Sequence, residues 1–365
     1  MRFIHTADWQ LGLRMNFVDG DDASRLRALR YSTVERIAQL AKEHEVDFVV
    51  VAGDVLDDNA LGLDALQQTE DALAAFSDTP VFLLPGNHDA ATEDSALRRL
   101  KLPSGCQFVE KREAISIAGG KVFPCPLQQR HEFNDPTEWL PEKAGSDEIW
   151  VAVAHGGVID FNEGDDGETP NLIDAKRVVD KGFDYLALGD WHGQLKISDR
   201  IWYSGAHEAT RFKEKKPGYI LLVDIEAPGA TPSVESIHVA QTEWISWQIT
   251  FNDDDQVDEL QARLEQLPRR STTLLNLVAD GSLSIAARAQ LDELLDEYRG
   301  RLPHLRLDTT ALQTTPTDAD LETMSADGFV QAALEELKAS NEPNDELALR
   351  LMYRLQQQEL GHAAT

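Results

Sequence analysis

The chain has 365 residues, 42% of them hydrophobic, which is enough to bury a full core and to form more than one domain. Its 64 acidic residues outnumber 34 basic ones, and the formal net charge of −30 excludes a broad basic face for nucleic acid, although not a local basic groove. The two cysteines, Cys106 and Cys125, have no C-x-x-C spacing, so we expect reduced thiols and no disulfide framework. Without a signal-peptide pattern or an apolar run of membrane-spanning length, a cytoplasmic protein that does not enter a membrane is expected.

The first part of the chain, residues 1–247, alternates predicted strands with predicted helices. "RFIHTAD" is a short apolar strand, residues 24–44 have helical periodicity, and "VDFVVVAGD" is typical of a strand buried on both faces. A second helix at about residues 64–76 leads into another buried strand, "VFLLPGNHD". Two further apolar runs, "IWVAVAHGG" and "FDYLALGDWHG", also end in polar residues. This alternation predicts an α/β domain.

The pattern changes after about residue 248. Residues 248–330 indicate a small αβ unit of strand, helix, strand, helix and strand. Residues 331–365 read as a tail of two helical segments separated by "NEPN". The second segment, "DELALRLMYRLQQQEL", has an incomplete apolar face that either packs on its own domain or docks on a partner.

Metal-capable residues follow five of the predicted strands. In chain order they are Asp8, Gln10, Asp54, Asn87, His88, His155, Asp190 and His192. A lone aspartate after a strand is more often a cap or turn residue, but here the carboxyl ends of five strands are expected to converge at one crevice. Carboxylate and imidazole ligands without a thiolate suit manganese or iron. The pattern therefore predicts a dinuclear site for divalent metals.

The ordered motifs "DWQ", "GDVLD", "GNHD", "AHGG" and "GDWHG" resemble those of the calcineurin-like metallophosphoesterases. Two stretches, "HTADWQLG" and "YSGAHEATRFKEKKPGYILLVDIE", most resemble the SbcD-type nuclease subunit of bacterial DNA repair. The resemblance covers residues 1–247 and implies a four-layer αββα core, in which helices flank two mixed β-sheets, with residues 248–330 as a capping domain. It also implies a metal-dependent phosphodiesterase that acts on DNA as an exo- or endonuclease.

The resemblance further implies a role for each site residue. Asp54 would bridge the two ions, Asp8, Gln10 and His192 would complete one, and Asn87, His155 and Asp190 would complete the other. Ions held about 3.5–4 Å apart can share a hydroxide that attacks the phosphodiester. His88 would stabilise the transition state or protonate the departing oxygen. Asp57 and Asp89 are expected to support ligands or cap loops.

Two positions depart from the family pattern. Gln10 and Asp190 stand where the family has histidine, so each ion loses one imidazole. Both replacements offer an oxygen ligand, which makes the pair harder and favours Mn²⁺, with Mg²⁺ and Fe²⁺ as alternatives, over zinc. We expect an active site with altered metal preference; a weakened or lost first ion is the competing interpretation.

Substrate and partners are less directly encoded. The segment "TRFKEKK" supplies a small basic patch of Arg211, Lys213, Lys215 and Lys216. Lys176 and Arg177 form a second basic pair. Either group contacts DNA phosphates or only keeps a surface loop solvated. The resemblance implies an SbcC-like coiled-coil ATPase as partner, docked through residues 331–365, and a homodimer. Two alternative functions stay open: a phosphatase or phosphodiesterase of small esters, and a non-catalytic subunit that binds DNA ends or the ATPase.

Overall fold

The computed structural model describes residues 1–18, 20–145, 147–159, 169–267 and 269–315, with isolated positions after 331. Two compact units divide the chain, Met1–Thr242 and Glu243–Thr365. The division lies shortly before the predicted boundary at residue 247, because the strand that contains "WISWQITF" pairs with a strand of the second unit. Most of the predicted tail, residues 331–365, and its docking face lie outside the described residues.

Among its described residues, the first unit contains two six-stranded sheets and three α-helices. Its strands are β1 (Arg2–Thr6), β2 (Phe48–Ala52), β3 (Val81–Leu84), β4 (Cys106–Phe108), β5 (Ile115–Ile117), β6 (Gly120–Cys125), β7 (Ile149–His155), β8 (Gly157–Val158), β9 (Leu172–Ile173), β10 (Tyr185–Gly189), β11 (Leu195–Lys196), β12 (Ile201–Tyr203), β13 (Tyr219–Asp224) and β14 (Ser233–His238). Its helices are α1 (Gly20–Glu43), α2 (Leu63–Ala74) and α3 (Ala175–Asp180). The sheet orders are β14-β13-β1-β2-β3-β4 and β11-β12-β10-β7-β6-β5, and β8 pairs with β9.

Successive residues of a buried strand point to opposite faces of its sheet, and this explains how the sheets and helices form layers. Every residue of β2 is buried; Phe48 joins the core between the two sheets, whereas Val49 joins the core beneath α1 and α2. Between the sheets, Phe3 stacks on Phe48 with ring centroids 4.8 Å apart and meets Tyr185 of the second sheet edge-on at 5.5 Å. A third core places Val178 of α3 against the second sheet. The predicted αββα arrangement with mixed sheets is confirmed.

The second unit forms the predicted sequence of strand, helix, strand, helix and strand. Its elements are β15 (Glu243–Phe251), α4 (Gln256–Glu265), β16 (Thr273–Leu283), α5 (Ile285–Arg299) and β17 (His304–Thr314). The three strands are parallel in the order β15-β16-β17, and both helices contribute apolar residues to one core. Its role as a capping domain stays a prediction.

Two sequence expectations concern the whole chain. Cys106 and Cys125 are both free and buried, as predicted. No helix within the described ranges combines the length and the apolar character needed to cross a bilayer.

Candidate metal centre

The predicted ligands follow the carboxyl ends of strands from both sheets, rather than of one sheet. Asp8, Asp54 and Asn87 come after β1, β2 and β3 of the first sheet, whereas His155 and Asp190 lie at the ends of β7 and β10 of the second. Within each sheet these strands are parallel neighbours. The expected crevice is therefore formed where the ends of two facing sheets meet.

Four of the predicted ligands have left-handed backbone conformations. The φ angles are 51° at Asp8, 42° at Gln10, 52° at Asp54 and 97° at Asp190. Such conformations cost non-glycine residues roughly 1–3 kcal/mol each and concentrate at functional sites. Main-chain hydrogen bonds hold two of the turns together, since Asp8 N donates to Gly53 O at 3.0 Å and Gln10 N to Asp54 O at 2.8 Å.

The glycine of "GNHD" is required by close approach at this site. A Cβ atom on Gly86 would lie 2.2 Å from Asp54 Oδ1 and 2.8 Å from His155 Cε1. No side chain fits at that distance, so the glycine lets the third strand end bring Asn87 against the carboxylate and the imidazole.

Three buried residues form the centre of the site. Asp8, Asp54 and His155 each offer a ligand atom, and these atoms all lie within 4.8 Å of one another. Burial raises the pKa of Asp8 to about 6, an effect that His192 and His155 oppose. Burial would lower the pKa of His155, but Asp54, Asp8 and Asp190 outweigh it and raise that pKa to about 9. Buried carboxylates at this spacing need nearby positive charge, which divalent cations supply.

His155 is oriented by the main chain. Its Nδ1 atom donates to Ala52 O at 2.9 Å, which turns Nε2 towards the other ligands. From Nε2 the distances are 3.0 Å to the Asn87 amide, 3.5 Å to Asp54 Oδ1 and 3.7 Å to Asp190 Oδ1. The Asn87 amide atom that lies near His155 Nε2 is also 3.1 and 3.2 Å from the two Asp54 carboxylate oxygens. It therefore faces hydrogen-bond acceptors, whose lone pairs a bound cation would satisfy. The donor set therefore fits a divalent metal.

His192 is oriented by a carboxylate that the sequence analysis did not single out. Its Nδ1 atom lies 2.7 Å from Glu214 Oε1 and 3.0 Å from Thr210 Oγ1, and its Nε2 atom lies 3.4 Å from Gln10 Nε2. Burial would lower the pKa of His192, but the hydrogen bond to Glu214 and the neighbouring carboxylates raise it. A carboxylate behind a ligating imidazole fixes its tautomer and is a common support of metal sites. In the sequence, the signal that could have identified Glu214 is an acid within the otherwise basic segment "RFKEKK".

The seven predicted ligands are thus brought together, but their contacts do not separate into the two predicted groups, since Asp8 clusters with Asp54 and His155. Gln10 touches His192, whereas Asn87 and Asp190 both face His155. Asp8 lies between, where its carboxylate accepts from Asp190 N at 3.1 and 3.3 Å. The assignment of each ligand to one ion stays a prediction.

His88, the predicted catalytic residue, and two neighbouring acids, Asp57 and Asp89, lie beside the predicted ligands; their roles stay predictions. His88 Nδ1 lies 2.7 Å from Asp57 O, and its Nε2 lies 3.9 Å from Asp54 Oδ2. The Asp89 carboxylate accepts from Leu56 N at 2.9 Å and from Gly86 N at 2.7 Å, which ties two ligand-bearing loops together. Burial, reinforced by Asp54, raises the pKa of Asp89 to about 7.

The site opens into a cavity of about 470 Å³. The residues that line it are Asp54, Asn87, His88, Asp190, Trp191, His192, Gly193, Arg211, Lys213, Glu214 and Lys215. Three of the four predicted DNA contacts are therefore on the cavity wall. The fourth, Lys216, is exposed outside this lining, and Arg177 of the second basic pair is bound to Asp135 at 2.5 Å.

Arg30 is a second residue that the sequence analysis missed. Its buried guanidinium donates to Trp9 O at 2.7 Å, to Ala209 O at 3.1 Å and to Glu208 O at 3.2 Å. It thereby joins the loop of Asp8 and Gln10 to the segment that precedes Thr210. Nothing in the helical pattern around Arg30 distinguishes it from a solvated arginine.

Comparison with known proteins agrees with this geometry. The sequence profile of the calcineurin-like phosphoesterase family matches residues 1–194, more than half of the chain, and spans all the predicted ligands. The crystal structure of TT1561 of Thermus thermophilus is similar at 13% identity and a TM-score of 0.40, covering 65% of this chain and 98% of that protein. The structural likeness is too distant to add to the assignment. The family match suffices: this chain belongs to the calcineurin-like phosphoesterases, metal-dependent hydrolases of phosphoester bonds.

Proposed function

We propose that this chain is a metal-dependent nuclease that hydrolyses phosphodiester bonds of DNA, in an SbcD-like role in repair. One observation carries the proposal: Arg211, Lys213 and Lys215 line the same cavity as Asp54 and His192. Cations beside a phosphoesterase centre can hold the phosphates that flank the cleaved bond, which a polymeric substrate has and a small ester lacks. With a net charge of −30, DNA binding would depend on such local basic patches.

The residues present can hold two divalent ions. Asp54 would contact both; the others would be shared as Asp8, Gln10 and His192 for one ion and Asn87, His155 and Asp190 for the second. When bound, such ions polarise a phosphoryl oxygen and lower the pKa of water. Because oxygen donors outnumber imidazoles in this set, we propose manganese as the working metal, with Mg²⁺ and Fe²⁺ as alternatives.

We assign to His88 the role of assisting the departing oxygen. Its Nδ1 proton is directed to Asp57 O, so Nε2 is the ring nitrogen that can face the cavity. As an acid it would donate the Nε2 proton of the imidazolium to the leaving oxygen.

A phosphatase or phosphodiesterase of small esters is the alternative that the cavity volume favours. About 470 Å³ lies within the ~300–1,000 Å³ typical of clefts that bind small ligands. Faster hydrolysis of mononucleotides or simple diesters than of DNA would identify it. A non-catalytic subunit would instead bind DNA without hydrolysing any ester.

The test is hydrolysis of end-labelled linear DNA with manganese, magnesium or chelator. We expect manganese-dependent cleavage that Asp54→Ala abolishes and that the triple change of Arg211, Lys213 and Lys215 to glutamine weakens, with a shallower salt dependence. Lys101→Gln is the control, because this exposed lysine lies outside the cavity lining and outside both basic segments. Cleavage of small esters alone, or an unchanged salt dependence in the triple variant, would contradict DNA as the substrate.

The proposed partners need a separate experiment. An SbcC-like ATPase would dock on residues 331–365, and a truncation after residue 335 should then abolish complex formation while leaving DNA cleavage by the isolated chain intact. The mass of the isolated chain in solution would test the homodimer.

A further inference from the structure

Trp191 is a large aromatic side chain held open at the metal centre. It lies between the predicted ligands Asp190 and His192, is 51% exposed and lines the cavity. The exposed indole belongs neither to a hydrophobic core nor to the predicted ligand set. The side chain therefore lies on the wall of the cavity that the reacting phosphate would occupy.

The loop of Trp191 is packed closely on the basic segment. A Cβ atom on Gly193 would lie 2.0 Å from Lys215 O and 3.2 Å from Trp191 Nε1, so only glycine permits this approach. Gln194 N also donates to Lys216 O at 3.1 Å. The loop that carries Trp191 and the main chain of the basic segment are therefore held against each other.

We propose that Trp191 stacks on a nucleobase next to the cleaved phosphodiester, while Arg211, Lys213 and Lys215 contact the flanking phosphates. The inference rests on the proposed nuclease function and specifies its substrate as single-stranded or unpaired DNA. In the interior of a duplex both faces of a base are covered by its neighbours, whereas an unpaired base offers a free face to the indole. An aromatic platform beside a row of cations is the combination that binds single strands without sequence preference.

The test compares two short single-stranded oligonucleotides that differ at the nucleotides flanking the cleaved bond. One carries bases there and the other carries abasic deoxyribose, and the ratio of their kcat/KM values is measured for each protein. The proteins are the full chain with manganese, its Trp191→Ala and Trp191→Tyr variants, and Phe133→Ala. Phe133 is the matched control, since it is an aromatic residue 74% exposed outside the cavity lining.

Base removal should lower kcat/KM of the unmodified chain about 5- to 140-fold, as expected for loss of one stacked base. The ratio should approach one in Trp191→Ala, stay well above one in Trp191→Tyr, and equal that of the unmodified chain in Phe133→Ala. Equal ratios in Trp191→Ala and the unmodified chain would overturn the stacking and leave the nuclease function standing. Hydrolysis of a small diester with no cleavage of either oligonucleotide would overturn both.

Discussion

The two histidines of the metal centre are held in different ways. His155 is wholly buried and is oriented by a main-chain carbonyl, Ala52 O, at 2.9 Å. His192 is partly exposed and is oriented by the Glu214 side chain at 2.7 Å, on the segment that also carries the cavity's cations. The difference divides the site into a buried half around Asp8, Asp54 and His155, built by the core, and an open half around His192 and Thr210–Lys216. The buried half is held by the packing of the two sheets. In the open half, Glu214 links the predicted ligand His192 to the basic segment that would meet the substrate.

The largest expected effect comes from removing the central acid of the buried half. Asp54→Asn should reduce hydrolysis to the level measured in chelator, because its carboxylate faces both His155 and Asn87. It should not lower the melting temperature of the metal-free protein, since a buried negative charge is lost while the His88 N hydrogen bond can be kept. Activity assays and thermal unfolding in chelator check this; a large drop in melting temperature would show that the loss of activity is unfolding.

Breaking the connection between the halves is expected to cost stability. Arg30 donates to Trp9 O in the buried half and to Ala209 O near the open half, and the Glu208 carboxylate compensates its charge. Arg30→Met should lower the free energy of unfolding by about 3–5 kcal/mol, because it leaves the buried Glu208 without its cation. Denaturant unfolding measures the change. Adding Glu208→Gln should recover part of it; a double variant no better than Arg30→Met would argue against charge compensation.

Removing the Glu214 carboxylate, which orients His192 in the open half, should weaken one metal site and not the other. Glu214→Ala is expected to lower the affinity of one of two manganese ions about 10- to 100-fold, because His192 loses the group that fixes its tautomer. Glu214→Gln keeps an acceptor for His192 Nδ1 and should lose less. Isothermal titration with manganese separates the two ions. Equal weakening of both sites would contradict the division into halves.

The last expected effect is confined to acid pH and concerns the core behind the buried half. His5 is buried between the sheets, where Nε2 contacts Leu188 O and Nδ1 contacts Tyr185 Oη, each at 3.1 Å; burial lowers its pKa to about 3. Between pH 6.5 and 3 the unfolded chain binds the proton and the folded chain does not. Stability should therefore fall as pH falls through this range, by up to about 1.4 kcal/mol per pH unit from this residue.

His5→Gln provides the comparison for that pH dependence. Unfolding free energies measured in chelator at several pH values should show a shallower slope for the variant than for the unmodified chain. Parallel curves would mean that His5 takes up its proton in the folded state.

The features predictable from the sequence were those encoded by neighbouring residues. Apolar runs identified the strands, and the polar residues directly after them identified Asp8, Asp54 and His155 as members of one site. The helix at 24–44 was also predicted, although α1 begins earlier, at Gly20, with Asp21 and Asp22 in its first turn, where acids favour a helix.

What the sequence missed depends on residues far apart in the chain. Glu214 acts on His192 across 22 positions and Arg30 on Glu208 across 178. No local pattern encodes those pairings, and the same holds for "WISWQITF", whose membership of the second unit depends on pairing with β16.

By itself, the sequence determined the types of element, the ligand chemistry and their order, because hydrophobic periodicity and strand-end residues are local properties. Only the tertiary structure decided that the ligands come from two facing sheets, that Glu214 supports one imidazole, and that Trp191 and three cations share the cavity. Those facts arise from packing and hydrogen bonds between distant segments, which form only when burial of the two sheets brings the segments together.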